Sequence, residues 1–91
     1  MIKNYIGKIK TAIEEGKGEK SSEFSFSIVT TDKIVLILEE IKTMFINEGY
    51  EVKKATHLSG VFAVKSGHKH SVNVIFSEIP PHTKFSVIIE N

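Results

Sequence analysis

Apolar residues recur along the chain with two periods, and the longer period marks two helices. Over residues 2–15 isoleucine returns every three or four positions between Lys and Glu, which is the spacing of one face of an α-helix. A wider apolar face of the same period covers residues 34–48, with Thr31 or Asp32 placed to cap its first turn. Gly49 stands where a helix commonly ends in a left-handed residue. The pattern therefore predicts two amphipathic helices.

The shorter period, two residues, marks the strands. Residues 24–30 alternate Phe or Ile with Ser, as a half-buried strand does. The same alternation indicates further strands in the second half of the chain: 50–57, 61–65, 71–79 and 84–90. The mixed polarity of strand 50–57 favours an edge position. Residues 66–70 are expected to join strands 61–65 and 71–79 as a hairpin. Pro80 and Pro81 end the strand before them, because proline has no N–H to donate to a neighbouring strand.

The order of elements, α-β-α-β-β-β-β, indicates an α+β fold. Because each helix has one apolar face, both are expected to pack on one face of a four- to five-stranded, mostly antiparallel sheet, giving a two-layer sandwich. A right-handed crossover through the second helix would set strands 24–30 and 50–57 parallel. The length predicts a single small domain over residues 1–91. Within it we expect an N-terminal helix, a polar connection and a β-α-β-meander: 1–16, 17–23 and 24–91.

Alternation also divides the strand residues between the two faces of the sheet. The larger apolar side chains share one parity and are expected to face the helices: Phe24, Phe26, Ile28, Val72, Val74, Phe76, Phe85, Val87 and Ile89. The other parity carries mostly small, hydroxyl-bearing side chains: Ser25, Ser27, Val29, Ser71, Asn73, Ile75, Ser77, Ser86 and Ile88. A merely solvated face usually carries more Lys and Glu. All of this second set except Ser77 are therefore predicted interface residues, the alternative being a solvent face that tolerates serine.

Composition supports the sheet-rich fold and excludes several chemistries. Thirteen Ile and eight Val against three Leu favour strands, since β-branched side chains suit a pleated surface. With no Cys, neither a disulfide scaffold nor a thiolate nucleophile is possible. With no Arg, bidentate recognition of phosphate or guanine lacks its usual residue. A chain rich in Ile and Lys and free of Arg points to an AT-rich genome, such as that of a low-GC bacterium or its phage.

Charge and hydropathy give no reason to expect a membrane or a strongly charged partner. Twelve Lys nearly balance eleven acidic residues. The longest apolar run, residues 34–38, is far shorter than the roughly 20 residues that span a bilayer. The first residues do not resemble a signal peptide. We therefore expect a cytoplasmic protein.

Sequence motifs for catalysis are missing. The chain has no Gly-x-Ser-x-Gly and no Gly-x-Gly-x-x-Gly, and its single Asp is explained by capping of the second helix. The adjacent pairs Glu14-Glu15 and Glu39-Glu40 do not share a helix face and are typical of solvated charges. We predict that the chain is not an enzyme and needs no cofactor.

The histidines define a possible metal site. His68 and His70 are one residue apart and would point the same way on an extended strand, with His57 or His82 as a third ligand. Three imidazoles and a water would form a zinc site of catalytic type. The competing interpretation, a polar hairpin tip with solvated imidazoles, is favoured because Ser and Gly flank His68.

Lysines and aromatic rings raise a second alternative, a module that binds single-stranded nucleic acid. The lysines that would carry it are Lys53, Lys54, Lys65 and Lys69. Against it, Glu residues are interspersed with the lysines, and most Phe occupy alternating core positions.

The leading hypothesis is a small, non-enzymatic interaction protein. It would bind its own copy or another protein through the Ser/Ile face or through an exposed strand edge. In a bacterial or phage setting it would act as an accessory protein that binds or sequesters a host component.

Overall fold

The observed elements follow the two periods of the sequence. A computed structural model describes residues 4–53, 60–65, 67, 69–79 and 81–91. Its elements in chain order are α1 (Asn4–Glu15), β1 (Ser21–Val29), α2 (Ile34–Asn47), β2 (Tyr50–Lys53), β3 (Gly60–Lys65), β4 (Ser71–Ile79) and β5 (His82–Glu90). The predicted order α-β-α-β-β-β-β is confirmed.

The five strands form one antiparallel sheet in the order β1-β5-β4-β3-β2. β2 to β5 are a meander, and β1 pairs with the outer side of β5. β1 and β2 run in the same direction but lie at opposite edges, so the crossover through α2 creates no parallel pair. The physical reason is the pairing that β1 makes with β5, which runs over all nine residues of both strands.

Both helices pack on one face of this sheet, which confirms the predicted two-layer sandwich. α1 contacts β1 and β5, while α2 contacts β2 and β3. Between the layers lies one cluster of buried side chains: Tyr5, Ile9, Ala12, Ile13, Ile37, Ile41, Met44, Phe45, Val61, Ala63, Val72, Val74, Phe76, Phe85, Val87 and Ile89. Phe24, Phe26 and Ile28 pack against it, so every side chain predicted to face the helices does so.

An aromatic stack fixes α1 on the sheet. The Tyr5 ring lies parallel to that of Phe85 with the centroids 5.4 Å apart, and Phe26 stacks on the same ring at 5.0 Å. The Tyr5 hydroxyl donates a hydrogen bond of 2.9 Å to Oε2 of Glu40 on α2. Burial, together with the nearby Glu40 carboxylate, raises the pKa of Tyr5 far above that of a free tyrosine. Tyr5 therefore remains a donor and links both helices to the sheet.

Several element ends differ from the prediction. α2 has Lys33 at its cap position with no side-chain cap bond, because the hydroxyl of Thr30 accepts the N–H of Asp32 instead, at 3.1 Å. The helix therefore starts late, and Ile34 is partly exposed. β1 begins three residues early because Ser21 already pairs with Glu90. The last part of predicted strand 50–57 lies outside the described residues.

Two glycines give a matched test of backbone conformation. Gly49 ends α2 with φ +86°, as predicted, and its N–H donates to the Ile46 carbonyl at 3.1 Å. Gly49→Ala should lower the free energy of unfolding by about 1–2 kcal/mol, since side chains rarely adopt this conformation. Gly7 lies exposed within α1, where an added Cβ meets nothing within 4 Å.

Gly7→Ala should therefore raise the free energy of unfolding by up to about 1 kcal/mol, through helix propensity. Urea unfolding measures both variants. Opposite signs are expected, and a loss of stability in Gly7→Ala would contradict the helical assignment of this residue.

Candidate interaction surface

The sheet has one face that neither helix covers, which we call the open face. Cross-strand register aligns its side chains in rows that run from the β1 edge to the β2 edge. Within the described residues, three rows reach β3 or β2. They are Ser21–Glu90–Ser71–Val64–Glu51, then Glu23–Ile88–Asn73–Phe62–Lys53, which we call the central row, and then Ser25–Ser86–Ile75–Gly60.

The middle of the open face is apolar and carries no charge. Ile88 and Phe62 flank Asn73 in the central row, and Ile75 and Val64 occupy the neighbouring rows. All five side chains are half-buried by one another. A second protein surface would therefore remove further apolar area from water at this patch.

The predicted interface residues all lie on the open face. Those on the inner strands β4 and β5 are half-buried: Ser71, Asn73, Ile75, Ser86 and Ile88. Ser25, Ser27 and Val29 are exposed on the edge strand β1, Val29 with 68% of its surface accessible. The structure thus brings the eight together on one surface, and their role in binding stays a prediction.

Phe62 and Val64 were missed by sequence reasoning. The strand that contains them is apolar at successive positions, so alternation does not tell which side faces the helices. Val61 and Ala63 are buried under the helices, which leaves the larger Phe62 on the open face. No local signal reveals this, since it depends on the pairing of Phe62 with Asn73.

Asn73 lies at the centre of the open face with an unmet hydrogen-bonding requirement. Its Oδ1 atom is buried and accepts no hydrogen bond from the described residues. A buried carbonyl oxygen without a hydrogen-bond donor lowers stability, because it has lost its hydrogen bonds to water and has formed none within the protein. A partner that supplies an N–H here would remove that cost once a rotation of the side chain turns Oδ1 toward it.

The charged side chains that the described strands place on the open face lie around this apolar centre: Glu23, Lys84, Glu90, Glu51 and Lys53. Glu23 on β1 and Lys53 on β2 end the central row at opposite edges of the sheet. Lys53 Nζ lies 2.9 Å from Oε1 of Glu51 on the same strand. The apolar centre therefore has an acidic residue at one end of its row and a basic residue at the other.

His70, a candidate metal ligand, takes part in a structural hydrogen-bond chain. The Tyr50 hydroxyl lies 2.6 Å from His70 Nε2, and His70 Nδ1 lies 2.5 Å from Oδ1 of Asn91. The Asn91 amide donates to the carbonyls of Gly16 and Glu19, so its oxygen must accept from His70. Nδ1 then carries a proton, and in the neutral imidazole Nε2 accepts from the Tyr50 hydroxyl, whose pKa is raised by burial.

In this arrangement neither ring nitrogen of His70 is left to bind a metal ion. His82 lies exposed at the start of β5. His57 and His68, the other candidates, lie outside the described residues. Among those that are described, no group of three or more His, Asp or Glu is placed to hold a metal ion.

The lysines proposed for nucleic acid do not share one surface. Lys53 is on the open face, while Lys65 pairs with Tyr50 on the helix side and lies over its ring at 5.2 Å. Lys69 lies in the connection between β3 and β4, beside a depression of about 400 Å³ at the end of the open face, and Lys54 is outside the described residues. No basic stripe with stacking rings results from the three that are described.

A separate cavity of about 250 Å³ lies between the ends of α1 and α2. Three lysines and two glutamates surround it with Tyr50 and Phe45: Lys10, Lys17, Lys65, Glu14 and Glu48. Lys10 lies 3.4 Å from Glu48 and Lys17 lies 2.9 Å from Glu14. These pairs balance most of the charge at the rim, so the cavity has no strong preference for an anion.

No protein-family model matches the sequence, and no curated protein matches it closely enough to count as a relative. In the part of the chain that the structure describes, no helix has the length and apolar character needed to cross a membrane.

Proposed function

We propose that this chain is a small, non-enzymatic interaction protein that self-associates through the open face of its sheet. One observation carries the proposal: the uncovered face has an uncharged, apolar centre built from Ile75, Ile88 and Phe62. Large apolar side chains at the centre with charged residues at the rim are typical of protein interfaces. The many serines around them allow another backbone to approach closely.

The size of the open face indicates a weak complex. Five strands about 4.8 Å apart and up to nine residues long give a flat area of roughly 600 Å². Stable interfaces bury about 800 Å² on each partner, so the open face is at the lower end of the range. We therefore expect dissociation constants in the micromolar range, where about 8 kcal/mol holds the complex together.

Light scattering coupled to size-exclusion chromatography tests the proposal. At concentrations up to about 1 mM, well above the expected dissociation constant, the protein should approach twice the mass of the 91-residue chain. Ile88→Lys should return it to the monomer, because the ammonium group would be sealed in an apolar contact.

Val35→Lys is the matched control for Ile88→Lys. Val35 is 72% exposed on α2, so the same kind of substitution there introduces the same charge away from the open face. This variant should keep the mass of the parent. A monomer at every concentration, or a dimer that survives Ile88→Lys, would contradict the proposal.

A further inference from the structure

We propose that the second copy docks on the open face about a two-fold axis that runs along β4. This inference rests on the proposed function and adds to it the symmetry of the complex and the residues that meet. It follows from three features of the open face: an uncharged central strand, opposite charges at the two ends of the central row, and the buried Asn73 Oδ1, which accepts no hydrogen bond from the described residues.

The central strand of the sheet is suited to lie on a symmetry axis. In a two-fold interface, a residue on the axis faces its own copy, so a charged side chain there would meet a like charge. β4 is the middle of the five strands. Its open-face side chains carry no charge: Ser71, Asn73, Ile75, Ser77 and Ile79. By contrast, β1, β5 and β2 each place at least one charged residue on this face.

A two-fold rotation about β4 reverses the order of the residues in the central row, and the reversed row is complementary to the original one. Rotation about this axis exchanges the two edges of the sheet and keeps each row opposite its own copy. Ile88 then faces Phe62 of the second copy, which buries an apolar pair on each side of the axis. At the ends of the row, Glu23 faces Lys53 of the second copy, so each dimer has two contacts between opposite charges.

The same rotation gives Asn73 a partner. Asn73 lies on the axis and meets its own copy, and a side-chain amide offers both a carbonyl acceptor and N–H donors. A rotation about χ2, which is broad for asparagine, lets each amide donate to the other's carbonyl oxygen. The buried Oδ1 that lacks a donor within the described residues would then be satisfied. A polar pair on the axis also fixes register, as single buried asparagines do in coiled coils.

A two-fold axis perpendicular to the strands, along the central row, is unfavourable. An axis along the central row would place every residue of that row against itself. Glu23 would face Glu23, and Lys53 would face Lys53, so like charges would meet at both ends. An axis perpendicular to the sheet does not bring the two open faces together. The charges of the central row thus favour the axis along β4 over an axis along that row.

Known sheet packing accommodates this arrangement. The axis along β4 aligns the strands of the two copies, and aligned sheets pack about 10 Å apart with a twist near 30°. Glu23 and Lys53 lie two strand spacings from β4, or about 10 Å, so the twist shifts them by roughly 5 Å. Two long side chains can span that shift. Gly60 faces Ser86 of the second copy, and these small residues let the backbones approach.

Exchanging the two charges tests the axis. Glu23→Lys and Lys53→Glu should each weaken dimerisation about tenfold, because each single variant creates two like-charge contacts in the dimer. The double variant restores opposite charges and should return to within about threefold of the parent. Analytical ultracentrifugation measures the dissociation constants. Glu39→Lys with Lys42→Glu, which exchanges an exposed pair on α2, is the matched control and should change nothing.

Zero-length carbodiimide cross-linking gives an independent readout on the unmodified protein. Within one chain Glu23 and Lys53 are separated by four strand spacings, or roughly 19 Å, so only two different copies can form an amide between them. Mass spectrometry of the cross-linked dimer should find the Glu23–Lys53 peptide. Lys53 coupled to Glu51, 2.9 Å away in the same chain, is the internal positive control.

Failure of this inference and failure of the proposed function give different results. If the protein dimerises and Ile88→Lys dissociates it, but the double charge variant is as weak as the single variants, the axis along β4 is wrong and the interaction through the open face stands. Absence of the Glu23–Lys53 cross-link from a dimer in which the internal control has reacted also overturns the axis. A protein that is monomeric throughout overturns both.

Discussion

Phe85→Ala is expected to lower the free energy of unfolding by about 3–5 kcal/mol, a large share of the stability of a domain of this size. Phe85 is fully buried on β5. Its ring contacts three other aromatic rings, Tyr5 at 5.4 Å, Phe26 at 5.0 Å and Phe76 at 5.5 Å between centroids. Alanine would leave a cavity that α1 cannot close without losing its own contact with the sheet.

Phe62→Ala is the control, since it is the same substitution on the other face of the same sheet. Phe62 is half-buried on the open face, so in the monomer its loss should cost only about 1 kcal/mol. Urea unfolding should be measured at about 0.1 µM or below, well under the expected dissociation constant, where most of a weak dimer is dissociated and contributes little stability. Equal losses in the two variants would contradict the assignment of Phe62 to an uncovered face.

The two rings also show which parts of the fold could be predicted from sequence. Phe85 sits in a strand whose other parity is mostly polar, with Lys84, Ser86 and Glu90 beside the apolar Ile88, so alternation assigns it to the helix side. Phe62 lies in a strand that is apolar on both parities, and its position depends on contacts distant in sequence. Periodicity predicts a face only where one of the two faces is polar.

The ends of helices and strands also depend partly on neighbouring residues and partly on residues that are distant in the sequence. β4 has the predicted bounds, 71–79, because proline follows it and a polar connection precedes it. β1 and β5 are both longer than predicted, since each extends as far as the other offers hydrogen bonds. The start of α2 was placed too early, because Thr30 bonds to Asp32 rather than to the helix. The extents of β1 and β5 are therefore set by a partner strand that is distant in the sequence, whereas the start of α2 depends on a contact two residues away.

Strand order is the largest feature that the sequence left open. A crossover through α2 is compatible with β1 beside β2 or with β1 at the far edge of the sheet. The nine-residue pairing with β5 decides between them, and it joins segments that are more than fifty residues apart. This pairing also sets the candidate interface, because it places Glu23 at one edge and Lys53 at the other. The charge pattern of the central row becomes visible only after the strands are ordered.

The predicted interface residues were identified because their strand face lacks the charged side chains that usually cover a solvated strand. Serines at alternate positions of β1, together with Ser71 and Ser86, replace the Lys and Glu that usually cover a solvated strand. The structure adds that Ile75 and Ile88 are neighbours of Phe62 and Asn73, so the isolated aliphatic residues of the sequence form one patch. We propose that this patch is the part of the serine-rich face that binds protein.

Val74→Lys should abolish folding, whereas Ile75→Lys should leave the chain folded and monomeric. Val74 is fully buried between the sheet and the helices, so its replacement would place an ammonium group in an apolar core at a cost of several kcal/mol. Ile75 is the next residue along β4 and points to the open face. In the monomer a lysine at that position can extend its amine into water.

Circular dichroism with thermal unfolding should show no cooperative transition for Val74→Lys and a parent-like transition for Ile75→Lys. Light scattering should then find the Ile75→Lys protein as a monomer at concentrations where the parent associates, because on the proposed axis two ammonium groups would meet. The reverse pattern of folding would mean that β4 has slipped by one residue, since such a slip exchanges the two faces of the strand. A folded Ile75→Lys protein that still dimerises would remove β4 from the interface.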